Sequence, residues 1–199
     1  MLSGSDDGTA RMWDLATLKC ISSFAARRKA GEDPLPVNSV SMRGRHIYLA
    51  AGPFVLEYDT KMPAEHDVET VLSMPHATAS TRLGDSDISQ MDVSHDGSQL
   101  AAIDEDGAVW VMDLATRAVS MLPEKHDGFG TCLAWRSIMS PWDKELVTGG
   151  MDMRLLVHRS DKKVLLHEMR TSDKGGEKGG STLFNPPFVH AIDVSAEGR

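Results

Sequence analysis

With 199 residues the chain can bury a sizeable core, and 41% apolar and 25% charged content is ordinary for a globular protein. Its 21 Lys and Arg against 29 Asp and Glu leave a net charge of −8, which argues against a protein whose main task is to hold phosphate backbones; no nucleic-acid partner is expected. No apolar run approaches the roughly 20 residues of a membrane helix, no signal-like N-terminus is visible, and two cysteines, Cys20 and Cys132, are too few for a disulfide framework; the expectation is cytosol or nucleus, with no membrane contact.

The chain opens on Leu2–Ser5, a small-residue strand, followed by an Asp-Asp-Gly turn at Asp6–Gly8 and a second strand, Thr9–Asp14. Gly8 suits the tight turn because it tolerates positive φ. A third strand is expected at Lys19–Phe24, then a loop over Ala25–Pro36 holding Arg27, Arg28 and Lys29. The next set reads Val37–Met42, His46–Ala51, Phe54–Asp59 and Val68–Ser73, followed by a polar connection, Met74–Ser86. The clearest set is Ile88–Val93, Ser98–Ile103, Ala108–Asp113 and Arg117–Leu122, with Asp-Gly turns at Asp96-Gly97 and Asp106-Gly107. Then come Gly130–Trp135, Glu145–Thr148, Arg154–His158 and Val164–Glu168, with Pro141 and Trp142 in a turn. Residues 171–182, rich in Gly, Lys and Ser, read as a flexible loop too polar to pack, and Phe188–Val194 alternates again. No segment carries a sustained helical period. The expected class is all-β.

The same signature recurs along the chain. Trp13-Asp14, Tyr58-Asp59, Met112-Asp113 and His158-Arg159 occupy equivalent closing slots, at spacings of 45, 54 and 46 residues. Seven residues before the end of the slot stand Asp7, Gly52, Asp106 and Asp152, so only the second copy lacks the turn acid. A repeat of this period marks a repetitive architecture.

The stretch Ser3–Asp14, SGSDDGTARMWD, resembles the consensus of the WD-repeat β-propeller superfamily. The set Pro141-Trp142, Leu146–Asp152 and Phe184–Ile192, with the missing turn acid in the second copy, is most similar to the WD repeat-containing protein 53 family. The resemblance implies radial four-stranded blades, divided here as an incomplete blade at 1–24, blades at 37–73, 87–122 and 129–168, and the start of another at 188–195. It also implies about seven blades in all, so the chain, with about four, reads as a fragment of a larger ring. A small closed ring, in which Val189–Ser195 supplies the strand missing before Leu2, is the alternative.

The resemblance assigns His126, Thr148 and Asp152 to a structural hydrogen-bond set, with Asp7 and Asp106 as the corresponding turn acids. A His, Thr and Asp within reach of one another also resemble a catalytic triad, but no nucleophile elbow or oxyanion-hole motif accompanies them, and no catalytic residue is expected. The histidines do not pair with cysteine at ligand spacing, His167-Glu168 lacks the second His of a zinc-protease motif, and the paired glycines at 175–176 and 179–180 are no phosphate loop; neither metal nor cofactor is expected. Recognition surfaces remain. The basic cluster Arg27, Arg28 and Lys29, and the turn residue Trp142, are the candidates for binding a peptide or protein partner. The expected role is a non-enzymatic protein-interaction scaffold. The alternative is a substrate receptor of a cullin–RING ubiquitin ligase, bound through that ligase's adaptor. The adaptor signature of such receptors looks like Trp-Asp-x-x-Arg, and Trp13-Asp14 is followed by Leu15, Ala16 and Thr17 instead.

Overall fold

A computed structural model describes residues 1–29, 31–60, 77–136, 144–171 and 186–194, and the backbone of 72–74. Sixteen strands and no α-helix occur among these residues. They form four four-stranded sheets, and the chain divides into two compact units, Met1–Met91 and Asp92–Arg199.

The first unit begins with β1 (Leu2–Gly4), β2 (Thr9–Asp14) and β3 (Lys19–Ala25), an antiparallel meander. Gly8 takes φ +77° at the first turn, where a β-carbon would also lie 2.5 Å from Cβ of Pro34; glycine is required twice over. The second sheet is built from β4 (Val37–Arg43), β5 (His46–Ala51) and β6 (Phe54–Asp59). Its fourth strand is not the expected 68–73. β7 (Leu72–Met74) instead pairs in parallel with β3 of the first sheet, and β8 (Ala79–Arg82), inside the expected polar connection, closes the second. Strand order β1-β2-β3-β7 therefore makes the first sheet mixed. Its apolar face, Ala10 and Phe24, packs against Leu49, Leu56 and Tyr58 of the second sheet. The Phe24 and Tyr58 rings meet edge to face at 5.4 Å, and the buried Tyr58 hydroxyl donates to the Ala25 carbonyl. Burial raises that phenol to about 12.

The boundary between the units falls within β9 (Ile88–Val93), the first strand of a third sheet that continues with β10 (Gln99–Asp104), β11 (Val109–Asp113) and β12 (Val119–Met121). The fourth sheet is β13 (Gly130–Trp135), β14 (Glu145–Gly150), β15 (Arg154–Arg159) and β16 (Val164–Arg170). Leu133, Trp135 and Leu146 of this sheet share a core with Ala101, Ile103, Val109, Val111 and Leu122 of the third.

Repetition extends to irregularities. The bulge between Met12 and Trp13 against β3 recurs between Val157 and His158 against β16. Leu18, Arg117 and Lys163 all take positive φ at the turns leading into β3, β12 and β16. Phe188–Val194 has no strand partner among the described residues, yet Val189 is seated like Val37, the first residue of β4. Val189 N donates to Gly150 O (3.3 Å) as Val37 N does to Ser5 O (3.1 Å), and Gly149 packs against Val189 as Gly4 packs against Val37.

Candidate functional site

The residues that sequence singles out converge most closely at the start of the fourth sheet. His126 lies in the connection before β13, Thr148 on β14, and Asp152 in the turn between β14 and β15. His126 is fully buried; its Nδ1 is 2.9 Å from Asp152 Oδ1 and its Nε2 3.0 Å from Thr148 Oγ1. An ionised carboxylate only accepts, so Nδ1 carries the proton and Nε2 accepts from the threonine hydroxyl. Burial pushes the His126 imidazole down, and the neighbouring Asp152 only partly offsets this, so the ring is neutral at pH 7.

Asp152 is the hub. Burial pushes its carboxyl up, but hydrogen bonds from His126, the Asp127 N–H (2.9 Å) and Arg154 (2.6 Å) outweigh this and hold it at about 2. Arg154 also donates to the Lys125 carbonyl and pairs with Asp127 at 3.2 Å, which ties the connection before β13 to the turn after β14. Gly150 makes room for the ring: a β-carbon there would lie 2.8 Å from His126 Nδ1. Gly107, at φ +77°, is likewise pressed against the His126 backbone, whose N–H donates to the Gly107 carbonyl. Arg154, Asp127 and these two glycines are the members that motif reading passes over. Arg154, two residues after the turn acid in an exposed-looking strand start, was the one legible signal.

The other turn acids differ. Asp7 is exposed, accepts from the Thr9 N–H and hydroxyl (2.8 and 2.6 Å), and has Arg11 at 3.6 Å; the Thr9 hydrogen bonds hold its carboxyl below the usual range. Asp106 is also exposed. The buried acid of that turn is Asp104, which accepts from the Ala108 N–H and from Trp110 Nε1, both at 2.8 Å. The set named from sequence is thus one connected network at His126–Thr148–Asp152 and two separate local turns at Asp7 and Asp106.

As chemistry, the network is closed. Thr148 is fully buried and its hydroxyl is engaged by His126. Among the described residues no group of three or more His, Cys, Asp or Glu side chains is placed to hold a metal ion. His158, in the closing slot, is fully buried with neither ring nitrogen partnered among the described residues; burial pushes it down to about 4, with a smaller push from His126.

The basic cluster does not present three equivalent charges. Arg28 is held by Glu32 (3.2 and 3.3 Å) and lies 4.6 Å over the Phe54 ring, Arg27 is half-buried with its Nε enclosed, and Lys29 is exposed. Trp142 lies outside the described residues. An apolar groove of about 840 Å³, lined by Val147, Leu155, Val157 and Met169 on one side and Val189 and Ile192 on the other, runs along the fourth sheet.

Compared with known proteins, the chain superimposes over its full length on the β-propeller domain of Cps50 (Swd1) from Myceliophteria thermophila, with a TM-score of 0.70 at 16% identity and 56% of that chain covered. A chain of a mitotic checkpoint complex matches over 86% of this chain and 47% of its own, with a TM-score of 0.65 at 17% identity. The fold is that of a β-propeller. The WD repeat-containing protein 53 homolog of Dictyostelium discoideum is 26% identical over 99% of this chain and 54% of its own length. The THO complex subunit 6 of Arabidopsis thaliana is 34% identical over 36% of this chain and 19% of its own length. No family model matches. The propeller blades here therefore span about half the length of the proteins they match along the whole chain.

Proposed function

We propose that this WD-repeat propeller chain is a non-catalytic scaffold that presents its loops and blade surfaces to peptide or protein partners in the cytosol or nucleus. One observation carries the reading: among the described residues the triad-like cluster, with His126 and Thr148 fully buried, is engaged in holding a connection to a blade, while the groove along the fourth sheet is open to solvent. The names of two matched proteins support it, since one is a chain of a mitotic checkpoint complex and another a THO complex subunit. On the same reading Phe188–Val194 begins a further blade.

The test is the native assembly state. Tagged at native expression, the protein is expected to elute from a sizing column with co-purifying proteins at near-stoichiometric amounts; elution as a lone monomer in every fraction overturns the proposal. Substrate-receptor function is the narrower version, and a ligase adaptor among those proteins would establish it. The closing acids lend it no support. Asp14 accepts from Ala16 N and Thr17 Oγ1, and Asp113 from Ala115 N and Thr116, so each caps its own turn.

A further inference from the structure

The first and fourth sheets are copies in register. β3 (Lys19–Ala25) and β16 (Val164–Arg170) are both seven residues long, both follow a turn whose last residue has positive φ (Leu18 and Lys163), and both pair with a bulged neighbour at the same position. They differ at one edge. β3 carries β7 on its far side in parallel, Ser22 opposite Leu72, Ser23 opposite Ser73 and Phe24 opposite Met74. β16 is the last strand of its sheet, with no strand beyond it among the described residues.

We propose that the free edge of β16 is a docking site for an extended polypeptide segment, which adds to the fourth sheet in parallel as β7 adds to the first. An edge strand presents a row of unpaired N–H and C=O groups that a second strand satisfies, and side chains at alternate positions then set specificity. The side chains here suit an apolar segment: Val164 is 40% exposed, Leu166 37% and Met169 51%. In the register of β7 on β3, Leu72 of a β7-like segment falls opposite His167, Ser73 opposite Glu168 and Met74 opposite Met169. Residues preceding it run toward Lys162 and Lys163, so the fitting partner is extended, alternately apolar, and acidic at its N-terminal end. The sequence leading into β7, Val68-Glu69-Thr70-Val71, has that character. This refines the scaffold reading by naming one of its surfaces, and rests on it.

The intact chain and a synthetic peptide of Val68–Ala77, at up to about 1 mM, provide the test. Amide hydrogen exchange of residues 164–170 is expected to slow at least tenfold with peptide. The double variant Val164→Lys, Leu166→Lys, which places charges on an exposed edge without touching the core, is expected to abolish that protection while keeping wild-type exchange elsewhere. No protection at 164–170, protection confined to 19–25, or protection that survives in the variant each overturns the proposal. Any of those results leaves the scaffold reading standing, because native co-elution with partners does not depend on this edge.

Discussion

The first and fourth blades carry the same turn, bulge and closing slot, yet they are held in different ways. In the first, Trp13 Nε1 donates to Ser3 Oγ at 2.9 Å across the sheet, and Asp7 organises only its own exposed turn. In the fourth, Thr148 stands in the place of Ser3 and His158 in the place of Trp13. The threonine hydroxyl is taken by His126, and His158 is left buried without a partner among the described residues. The comparison teaches that a repeat signature preserves positions more faithfully than bonds. The fourth blade has exchanged a strand-to-strand hydrogen bond for a network that anchors the connection leading into it.

That difference should appear first in the turn acids. Asp152→Ala removes the acceptor of a buried imidazole, an arginine and a backbone N–H, and is expected to cost about 3 kcal/mol by urea denaturation. Asp7→Ala, at an exposed turn, should leave the midpoint almost unmoved. Equal losses would mean the two turns are held alike.

Acid is the second probe. The folded-state value of His158, about 4, lies below its ordinary 6.5, so the unfolded chain takes up the proton first as pH falls. Stability is complete above about 6.5 and declines toward 4; at pH 5 the loss is about 2 kcal/mol. His126 is shifted in the same direction by burial and adds to it. His158→Phe should remove most of the difference between melts at pH 7.5 and pH 5, whereas an unchanged pH profile would exclude His158 as its source.

Smaller effects separate the hydroxyl and the backbone. Thr148→Val keeps the shape and leaves His126 Nε2 without a donor, at an expected cost of about 1 kcal/mol in the same denaturation experiment. Met153 takes φ +63° where the first and third blades place Gly8 and Gly107. Met153→Gly relieves left-handed strain and, after the entropy that glycine adds to the unfolded chain, should raise stability by about 0.5 kcal/mol. A loss of stability there would show that the methionine side chain contributes packing that outweighs its backbone.

Much of the fold was legible because a strand with one buried face writes period-2 alternation into the chain, and a tight turn demands Gly, Asp or Asn. β2, β5, β6, β9 and β13 match their expected bounds for that reason. The fourth strand of the second blade was misplaced because Leu72–Met74 and Ala79–Arg82 are both short, and nothing in a three- or four-residue strand names its neighbour. Parallel pairing of β7 with β3 joins residues 50 apart, which no local pattern encodes.

Sequence alone determined the recurrence of blades and the positions that matter within each: turn acid, glycine, closing slot. These are local demands of backbone and burial, met wherever the chain makes the same turn. Tertiary structure decided which polar groups share a proton or a buried site. It chose Asp104 over Asp106, enclosed His126 among Thr148, Asp152 and Gly150, and left His158 without a partner among the described residues, because burial and hydrogen-bond geometry depend on groups brought in from distant parts of the chain.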